Sequence, residues 1–382
     1  MSITSRIVTD FSTIAEQDWC RLDDADNPFL SHAFLAGLET TGSISAETGW
    51  QPWHLALYDG DGLLAFAPTY VKSHSHGEFV FDWAWADAYR RHGLDYYPKL
   101  LTAVPYSPIT GPRLLVREGA NRPEVLRRRL AEMAMGECDR RGFSSWHCNF
   151  TGTPESEALE QTDLLQRSDW QFHWRNRDYR SFDDFLGTLR SRKRKNIRKE
   201  RRQVEEAGIR FEWLRGAELA GDTLDFIHRC YKGTFRAYGN HPALRKSFFA
   251  WLAQRLPDGL QVAIARLQDR PVAMSLYLSG GGRLYGRYWG SEVEIPGLHF
   301  ETAYYQGIDH CIREGIEVFE SGAQGEHKIA RGFVPVRTRS FHYVRDETFR
   351  QAIAAHLERE HLWLDEYREQ LDAHDPYREP SA

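Results

Sequence analysis

The strongest constraint on the fold is an order of predicted elements that occurs twice along the chain. Residues 53–150 read as strand, strand, strand, helix, strand, and residues 260–322 repeat that order. Within each copy a tight turn joins neighbouring apolar runs, Asp59–Gly62 in the first and Gly280–Gly282 in the second. The two copies share little letter-by-letter identity, so the repeat is one of pattern. It predicts two α/β domains of similar design with mixed sheets.

The chain has 382 residues, which exceeds the size that one hydrophobic core usually serves. The predicted domains are residues 1–168 and residues 169–346, and the second contains a basic helix at 183–207. A C-terminal amphipathic helix and tail follow at 347–382. Within the first domain, the alternation of "GEFVFDWAWADAY" (residues 77–89) predicts a strand.

The sequence carries no sign of export or of a membrane span. Its N-terminus lacks the charged-then-apolar layout of a signal peptide, and no run approaches the roughly 18 apolar residues that span a bilayer. The cysteines are odd in number and form no CxxC pair. We therefore expect a soluble, cytoplasmic protein.

The most unusual segment is Arg190–Arg202, "RSRKRKNIRKERR". Nine of its thirteen residues are Lys or Arg and only Glu200 opposes them, so its local +8 leaves −13 for the rest of a chain whose net charge is −5. Helical spacing gives it a narrow apolar seam of four residues, which are Leu186, Leu189, Ile197 and Val204.

Two interpretations of this segment stay open, a solvated helix face and a polyanion contact. The acidic remainder of the chain disfavours duplex DNA, so the polyanion would be local. Candidates are the acceptor end of an RNA, a nucleotide-linked sugar or the pyrophosphate of coenzyme A. The predicted phosphate- or RNA-binding residues are Arg192, Lys193, Arg194, Lys195, Arg198, Lys199 and Arg202.

A second dense constellation follows a predicted strand that ends at Glu320. The sequence "EVFESGAQGEHKIARGFVP" (residues 317–335) has turn glycines that let a backbone approach a ligand. Polar groups after a strand end in an α/β domain lie where ligands usually bind. An ordinary polar loop is the alternative. The candidate residues are Gln324, Glu326, His327, Lys328 and Arg331.

Two further stretches are candidates for pocket walls. In "LYGRYWG" (residues 284–290), strict alternation places Tyr285, Arg287 and Trp289 on one face and Gly286, Tyr288 and Gly290 on the other. Arg287 either lines a pocket or pairs with an acid such as Glu301 or Glu320.

In "KSHSHGEFVFDWAWADAY" (residues 72–89), His74, His76, Glu78 and Asp82 match no established metal spacing, so a substrate-facing strand end is preferred to a metal site. The chain has no GxSxG elbow, Walker loop or GxGxxG after the first strand.

Several long motifs resemble the FemAB-like proteins of the GNAT superfamily, the bacterial group called "peptidoglycan biosynthesis/recognition". The resemblance covers roughly residues 5–375. The motifs are "KSHSHGEFVFDWAWADAY", "YYPKLLTAVPYSPITGPRLL", "QFHWRNRDYRSFDDFLGTLRSRKRKNIRKERR", "LYGRYWG", "LHFETAYYQGIDHCI" and "ESGAQGEHKIARGFVP".

This resemblance implies tandem GNAT-like domains, similar to FemX but without a long coiled-coil hairpin. Fem-type transferases move an amino acid from aminoacyl-tRNA onto a peptidoglycan precursor, with a Phe-Lys pair near the reacting ester. Here Lys328 matches that lysine and His327 replaces the aromatic residue. The resemblance also implies substrate contacts, which in the second domain are Arg287, Tyr288, Trp289, Glu301, Tyr304, Gln324 and Arg331. In the first domain they are Asp82, Trp83, Trp85 and Lys99.

Three functions follow as alternatives. The first is an acyltransferase that takes an aminoacyl group from aminoacyl-tRNA, with Lys328, His327 and Glu326 as catalytic residues and a peptidoglycan precursor as acceptor. The second is an acyl-CoA-dependent N-acetyltransferase. Against it, the coenzyme A loop of ordinary GNAT enzymes is reduced here to Gly297, and two acids precede it. The third is a non-catalytic binder of cell-wall precursor or RNA. The co-substrate is therefore aminoacyl-tRNA or acyl-CoA, and no metal is expected.

Overall fold

The computed structural model describes residues 3–22, 26–322 and 325–378, apart from the side chain of Glu326. The chain divides into two compact units. The first unit consists of Met1–Asp169 and Arg337–Tyr367, and the second of Trp170–Val336 and Arg368–Ala382. Residues 337–346, predicted for the second domain, therefore lie in the first unit.

Strands make up the framework of both units. Within the described residues they are β1 Thr4–Val8, β2 Trp50–Pro52, β3 His54–Asp59, β4 Gly62–Ala67, β5 Thr69–Lys72, β6 Lys99–Thr102, β7 Leu115–Val116, β8 Ser145–Cys148, β9 Leu165–Arg175, β10 Ile209–Arg215, β11 Leu260–Leu267, β12 Arg270–Gly280, β13 Arg283–Ser291, β14 Val318–Glu320 and β15 Val334–Val344.

The helices alternate with these strands. Within the described residues the α-helices are α1 Glu16–Trp19, α2 His32–Thr40, α3 Trp83–Arg91, α4 Pro123–Arg141, α5 Thr153–Leu159, α6 Phe182–Thr188, α7 Ser191–Glu206, α8 Gly221–Ala237, α9 Lys246–Arg255, α10 Leu298–Phe300, α11 Gln306–Glu314 and α12 Glu347–Ala373. Short 3-10 turns lie at Phe11–Thr13, Gly216–Glu218 and Glu326–Arg331, and a π-helical turn, Glu301–Tyr305, joins α10 to α11.

The first unit holds two sheets. One is antiparallel in the order β1-β3-β4-β7, with the predicted hairpin turn between β3 and β4. The other runs β15-β8-β6-β5-β2, and its β6–β8 pair is parallel. A parallel pair needs a crossover, which α4 supplies. Residues such as Leu57, Leu130 and Trp146 fill the core between α4 and these strands.

The second unit repeats that design. β10, β11, β12 and β13 form an antiparallel meander, β14 pairs parallel with β13, and β9 pairs antiparallel with β14. The continuous helical stretch from Leu298 to Glu314 is the crossover between β13 and β14. Each unit therefore contains a parallel strand pair joined by a helix, and the predicted mixed α/β fold class is confirmed.

The prediction of a strand at residues 77–89 is wrong, because Trp83–Arg91 forms α3. Trp85 and Tyr89, one helical turn apart, are its buried residues. An aromatic residue at every second position satisfies a strand pattern, but positions 85 and 89 also satisfy the i, i+4 spacing of a helix.

The predicted basic helix at 183–207 is interrupted. α6 ends at Thr188, Leu189 is extended, and α7 starts at Ser191. The C-terminal segment fills the break, since Leu189 forms a bridge with Tyr377 and the backbone NH of Arg190 donates to Pro376. Sequence spacing alone carries no information about this distant segment.

Among the described residues, none of the helices combines the length and the apolar character needed to cross a membrane.

Candidate functional site

The candidate site of the second unit lies where the parallel strands β13 and β14 stop pairing. Their last paired residues are Tyr285 and Glu320. Beyond them β13 contains a bulge, because Tyr277 of β12 faces Gly286 whereas its neighbour Leu276 faces Tyr288. Arg287 is therefore the extra residue. Bulges commonly redirect side chains beside functional sites.

The bulge overturns the strict alternation predicted for residues 284–290. A Cβ added to Gly286 would contact Phe319, whereas a Cβ at Gly290 would lie 2.4 Å from the carbonyl oxygen of Cys230 in α8. Tyr288 lies on that same α8 side, with its ring 4.9 Å from Tyr231. Gly286 and Tyr288 thus lie on opposite faces, since one inserted residue reverses the alternation.

Lys328 is the central residue of the loop after β14. Its side chain is only 2% exposed, and its Nζ donates to the carbonyl oxygen of Gly322 at 2.7 Å. Burial, and secondly the guanidinium of Arg287, lower the pKa of Lys328 to about 7. No carboxylate among the described side chains forms a salt bridge with Lys328. An amine of this kind exists in both protonation states near neutral pH.

Histidines and aromatic rings surround the loop. His327 Nε2 lies 3.0 Å from the hydroxyl of Tyr304, and burial followed by the charges of Arg331 and Lys328 lowers the pKa of His327. His299 packs 4.6 Å from the ring of Trp289, and burial lowers its pKa to about 4. Both imidazoles are therefore neutral at pH 7, which suits a proton acceptor.

Arg331, predicted to contact substrate, is instead held by protein groups. Its guanidinium donates to both carboxylate oxygens of Glu200, at 2.9 and 3.1 Å, and to the carbonyl oxygen of His327 at 2.8 Å. It also lies 3.4 Å from the ring centroid of Phe300. Through these hydrogen bonds, buried Arg331 connects the loop that follows β14 to helix α7.

Glu301, also predicted to contact substrate, is buried in a polar pair. Its carboxylate accepts from Arg201 of α7 at 3.2 Å and from the amide of Gln306 at 2.8 Å. Among the acids considered as partners for Arg287, Glu301 also pairs with Arg201, and Glu320 also pairs with Arg283 at 2.7 Å.

Helix α7 presents two different faces. Ile197 and Val204 are buried, as predicted, and so are Leu186 and Leu189 of the apolar seam. Glu200 and Arg201 point to the same inner side through the ion pairs just described. The opposite side is a cationic stripe of exposed residues, which are Arg192, Lys195, Arg198, Lys199 and Arg202.

Within that stripe, Arg198 pairs with Asp183 at 2.8 Å and Arg202 lies 3.8 Å from Glu206. Arg192, Lys195 and Lys199 have no ion pair among the described residues, and the half-buried Lys193 and Arg194 have none there either. Unpaired cations on one side of a helix repel one another and form a positive surface of the kind that attracts phosphate groups.

The first-unit candidates Asp82 and Lys99 contact each other in the interior. The Lys99 ammonium donates to Asp82, to Glu78 at 2.7 Å and to Ser75 at 3.0 Å, and all four side chains are buried. Tyr96 also donates to Asp82, at 2.6 Å. We call this set the buried ionic network. The ammonium of Lys99 contacts both carboxylates, and this attraction offsets part of the cost of burying the charges.

The two tryptophans of that stretch differ from each other. Trp85 is buried, 5.1 Å from the ring of His342, whereas Trp83 is 45% exposed and its ring lies 5.2 Å from that of His76. Of the predicted first-unit contacts, Trp83 alone is exposed. Gln324 lies outside the described residues, as does the side chain of Glu326. The described residues contain no group of three or more His, Cys, Asp or Glu side chains able to hold a metal.

Sequence reasoning missed His173 and His299 and gave Glu200 no role. His173 is buried in β9, 3.8 Å from Glu320, and burial lowers its pKa to about 3. His173 comes from a strand more than 140 positions away, so no local pattern shows it. One sequence feature distinguishes Glu200, which is the single acid in the basic segment Arg190–Arg202.

The fold is similar to that of FemX. The chain is 12% identical to the crystal structure of FemX with a TM-score of 0.53, covering 92% of this chain and 100% of that one. A conserved protein of unknown function from Bacteroides thetaiotaomicron gives 11% identity and a TM-score of 0.52, over 89% of this chain and 99% of that one. The C-terminal DUF2156 domain of an Agrobacterium fabrum protein gives 11% identity and a TM-score of 0.54, over 90% of this chain and 93% of that one.

The chain belongs to the FemAB-like family, described as peptidoglycan biosynthesis/recognition, which it matches over residues 10–379. No curated protein matches it. Family membership supports an acyltransferase with a peptidoglycan-related substrate.

Proposed function

We propose that this protein transfers an aminoacyl group from the 3′ end of an RNA to an amine of a peptidoglycan precursor. The observation that carries the proposal is Lys328, a buried amine with a pKa of about 7 at the end of the β13–β14 pair. The unpaired cations of α7 belong to the same unit as this lysine. A phosphate-bearing donor would meet these cations.

The chemistry needs one proton acceptor and one group that stabilises negative charge. The acceptor amine attacks the ester carbonyl, a C–N bond forms, and the ester C–O bond breaks to release the ribose hydroxyl. Neutral His327 would take the proton from the attacking nitrogen, and protonated Lys328 would stabilise the oxyanion. The proton on the base then passes to the leaving oxygen, so atoms and charges balance.

The surroundings of Gly297 favour an RNA donor over acyl-CoA. Gly297 precedes α10 in a left-handed conformation, where the resemblance to ordinary GNAT enzymes would put the coenzyme A pyrophosphate. A Cβ at Gly297 would lie 3.1 Å from the carbonyl oxygen of Glu200, so α7 covers this point. Glu292, which precedes it, pairs with Arg229 and Arg270, so these two cations already have a carboxylate partner.

The test of the chemistry is transfer of a radiolabelled amino acid from aminoacylated RNA to a precursor peptide that carries a free amine. Lys328→Ala should lower the rate by about 100-fold or more, because one charge-stabilising donor is lost. Lys246→Ala, which removes an exposed lysine of the same unit, should leave the rate unchanged. Full activity in Lys328→Ala would refute the role of Lys328. Thermal stabilisation by acetyl-CoA but not by RNA would instead support the acyl-CoA alternative.

The test of the RNA surface is a pair of charge reversals. Lys195→Glu with Lys199→Glu should weaken binding of a single-stranded RNA by about tenfold or more. The salt dependence of that binding should fall by the equivalent of about one or two phosphate contacts. Arg210→Glu with Arg359→Glu makes the same change of net charge at exposed positions elsewhere. Equal loss of binding in both variants would show that only net charge matters, and would remove the stripe from the proposal.

A further inference from the structure

The single acid of the basic segment makes a contact that the proposed function does not use. Glu200 lies on α7 beside Ile197 and Val204 and faces the unit's interior. Its carboxylate accepts from Arg331 through both oxygens and also from the hydroxyl of Tyr305. A carboxylate that satisfies a buried guanidinium in this way is costly to remove.

Arg331 carries this contact into the loop that holds Lys328. It donates to the carbonyl oxygen of His327, the residue before the lysine, and its guanidinium lies over Phe300. Two backbone bonds keep the loop closed around the lysine, from Lys328 NH to Gly325 and from Phe333 NH to the Lys328 carbonyl. Glu200, Arg331 and residues 325–333 therefore form one connected set of hydrogen bonds.

We infer that Glu200 is a positioning residue: acting through Arg331, it holds residues 325–333 so that the Lys328 amine stays buried and away from water. The inference concerns the site of the proposed function and gives the basic segment a second role there. The outer side of α7 would bind the donor, and the inner side fixes the lysine. The placement of the lysine then depends on the helix that contacts the phosphates.

One charged group and three titratable groups lie near Lys328. Arg287 of β13 lowers the pKa of Lys328, and Lys328 in turn helps to lower the pKa values of His173 in β9, His299 in α10 and His327. Arg287 lowers the pKa of Lys328 directly, whereas the largest cause is burial. If residues 325–333 loosen and water reaches the amine, the burial effect shrinks and the pKa must rise.

The direction in which the pKa of Lys328 changes distinguishes a positioning role of Glu200 from a direct electrostatic effect of its charge. Removal of a nearby negative charge, with the loop still in place, would make Lys328 easier to deprotonate and lower its pKa. Loosening of the loop raises it. The experiment is competitive acetylation of the full chain with acetic anhydride from pH 5 to 11, with the reactivity of each lysine read by mass spectrometry.

In the wild type, the labelling midpoint of Lys328 should lie near 7. Glu200→Gln should raise the Lys328 midpoint by about one pH unit or more. Glu206→Gln, an exposed acid one and a half turns along α7, should leave it unchanged. Lys72 in the first unit, also buried with a pKa of about 7, is the internal reference and should not move.

A Lys328 midpoint that stays constant or falls in Glu200→Gln overturns the inference, because the loop would then not depend on the carboxylate. A parallel shift of Lys72 would also overturn it, since general loosening of the chain would then be the cause. If Glu200→Gln does not fold, Arg331→Gln breaks the same contact from the other side and must give the same rise. The labelling needs no donor or acceptor, so an inactive wild-type protein would defeat the proposed function and leave this test intact.

Discussion

Lys99 of the first unit and Lys328 of the second are both buried, yet the pKa values of their amines are shifted in opposite directions. Burial lowers the pKa of each, since it penalises the ammonium form. At Lys99 the carboxylates of Glu78 and Asp82 outweigh burial and raise the pKa above its ordinary value. At Lys328 the strongest charged neighbour is Arg287, so the pKa falls to about 7.

The difference between the two pKa values comes from the groups that contact each lysine and not from how deeply each lysine is buried. Lys99 is at most 3.0 Å from Ser75 and Glu78, and its ammonium also contacts Asp82, so its three donors are used. Lys328 has a peptide carbonyl, which accepts a hydrogen bond but carries no full charge. The first arrangement stabilises a fold, whereas the second keeps an amine ready to gain or lose a proton.

The largest expected effect comes from removing each lysine in turn. Lys99→Met leaves buried Asp82 without its cation and Glu78 with only the more distant Lys72, and should lower the free energy of unfolding by about 3–5 kcal/mol. Lys328→Met loses one hydrogen bond but also removes an amine that resists burial, so at pH 7 the change should stay within about 1 kcal/mol. Urea unfolding of the three proteins measures both values.

The control for the first variant removes the carboxylates as well. Lys99→Met combined with Glu78→Gln and Asp82→Asn should recover most of the lost stability, because no buried carboxylate remains without a cation. Equal destabilisation by Lys99→Met and Lys328→Met would contradict the comparison, since the partners would then not matter.

The sequence predicts the framework around these two lysines well and their environments poorly. The repeated element order gives the α/β class, and the strand end at Glu320 and the glycines around Lys328 indicate the loop. The pairing of Lys99 with Glu78 and Asp82 joins residues 17 and 21 positions apart through a loop and the start of a helix. No periodicity predicts that contact, and the alternation of residues 77–89 predicted the wrong element.

Long-range contacts also determine where the basic helix is interrupted and which side chains lie on each face of β13. The segment is interrupted at Leu189 by Tyr377, which lies 188 positions further along the chain. The bulge at Arg287 reverses the expected faces, and its position depends on pairing with β12. Local propensity does not encode a partner of that kind, so Tyr288 was assigned to the same face as Gly286.

The second prediction uses pH to separate the two lysines. Lys328 has a folded pKa of about 7 and an unfolded pKa of about 10.4, so between these values the unfolded chain binds more protons. Its contribution therefore makes the protein more stable as pH rises from 7 to 10, by up to about 1.4 kcal/mol per pH unit. The raised pKa of Lys99 gives a contribution that is complete below pH 10 and lost only above it.

Urea unfolding midpoints of wild type and Lys328→Met, measured at pH 7, 8, 9 and 10, test this pH dependence. The difference in stability between wild type and Lys328→Met should grow in favour of the wild type as pH rises. Parallel curves for these two proteins would show that Lys328 titrates alike in the folded and unfolded chain.

The smallest expected effect belongs to Lys72, which lies between the two cases. It is fully buried beside the same acid, but its Nζ is 4.0 Å from Glu78 instead of the 2.7 Å found for Lys99. It donates to the carbonyl oxygen of Gly49 at 3.0 Å and lies 3.7 Å from the ring centroid of Trp50. Burial lowers its pKa to about 7 although Glu78 opposes the shift.

Lys72→Met should therefore change the free energy of unfolding by about 1 kcal/mol, far less than Lys99→Met, because Glu78 keeps its closer partner. The same urea titration measures it, with Lys99→Met as the reference. A loss as large as that of Lys99→Met would mean that any acid in a buried cluster fixes a lysine. A small loss would mean that direct contact is required, and the absence of such a contact is what leaves Lys328 able to exchange its proton.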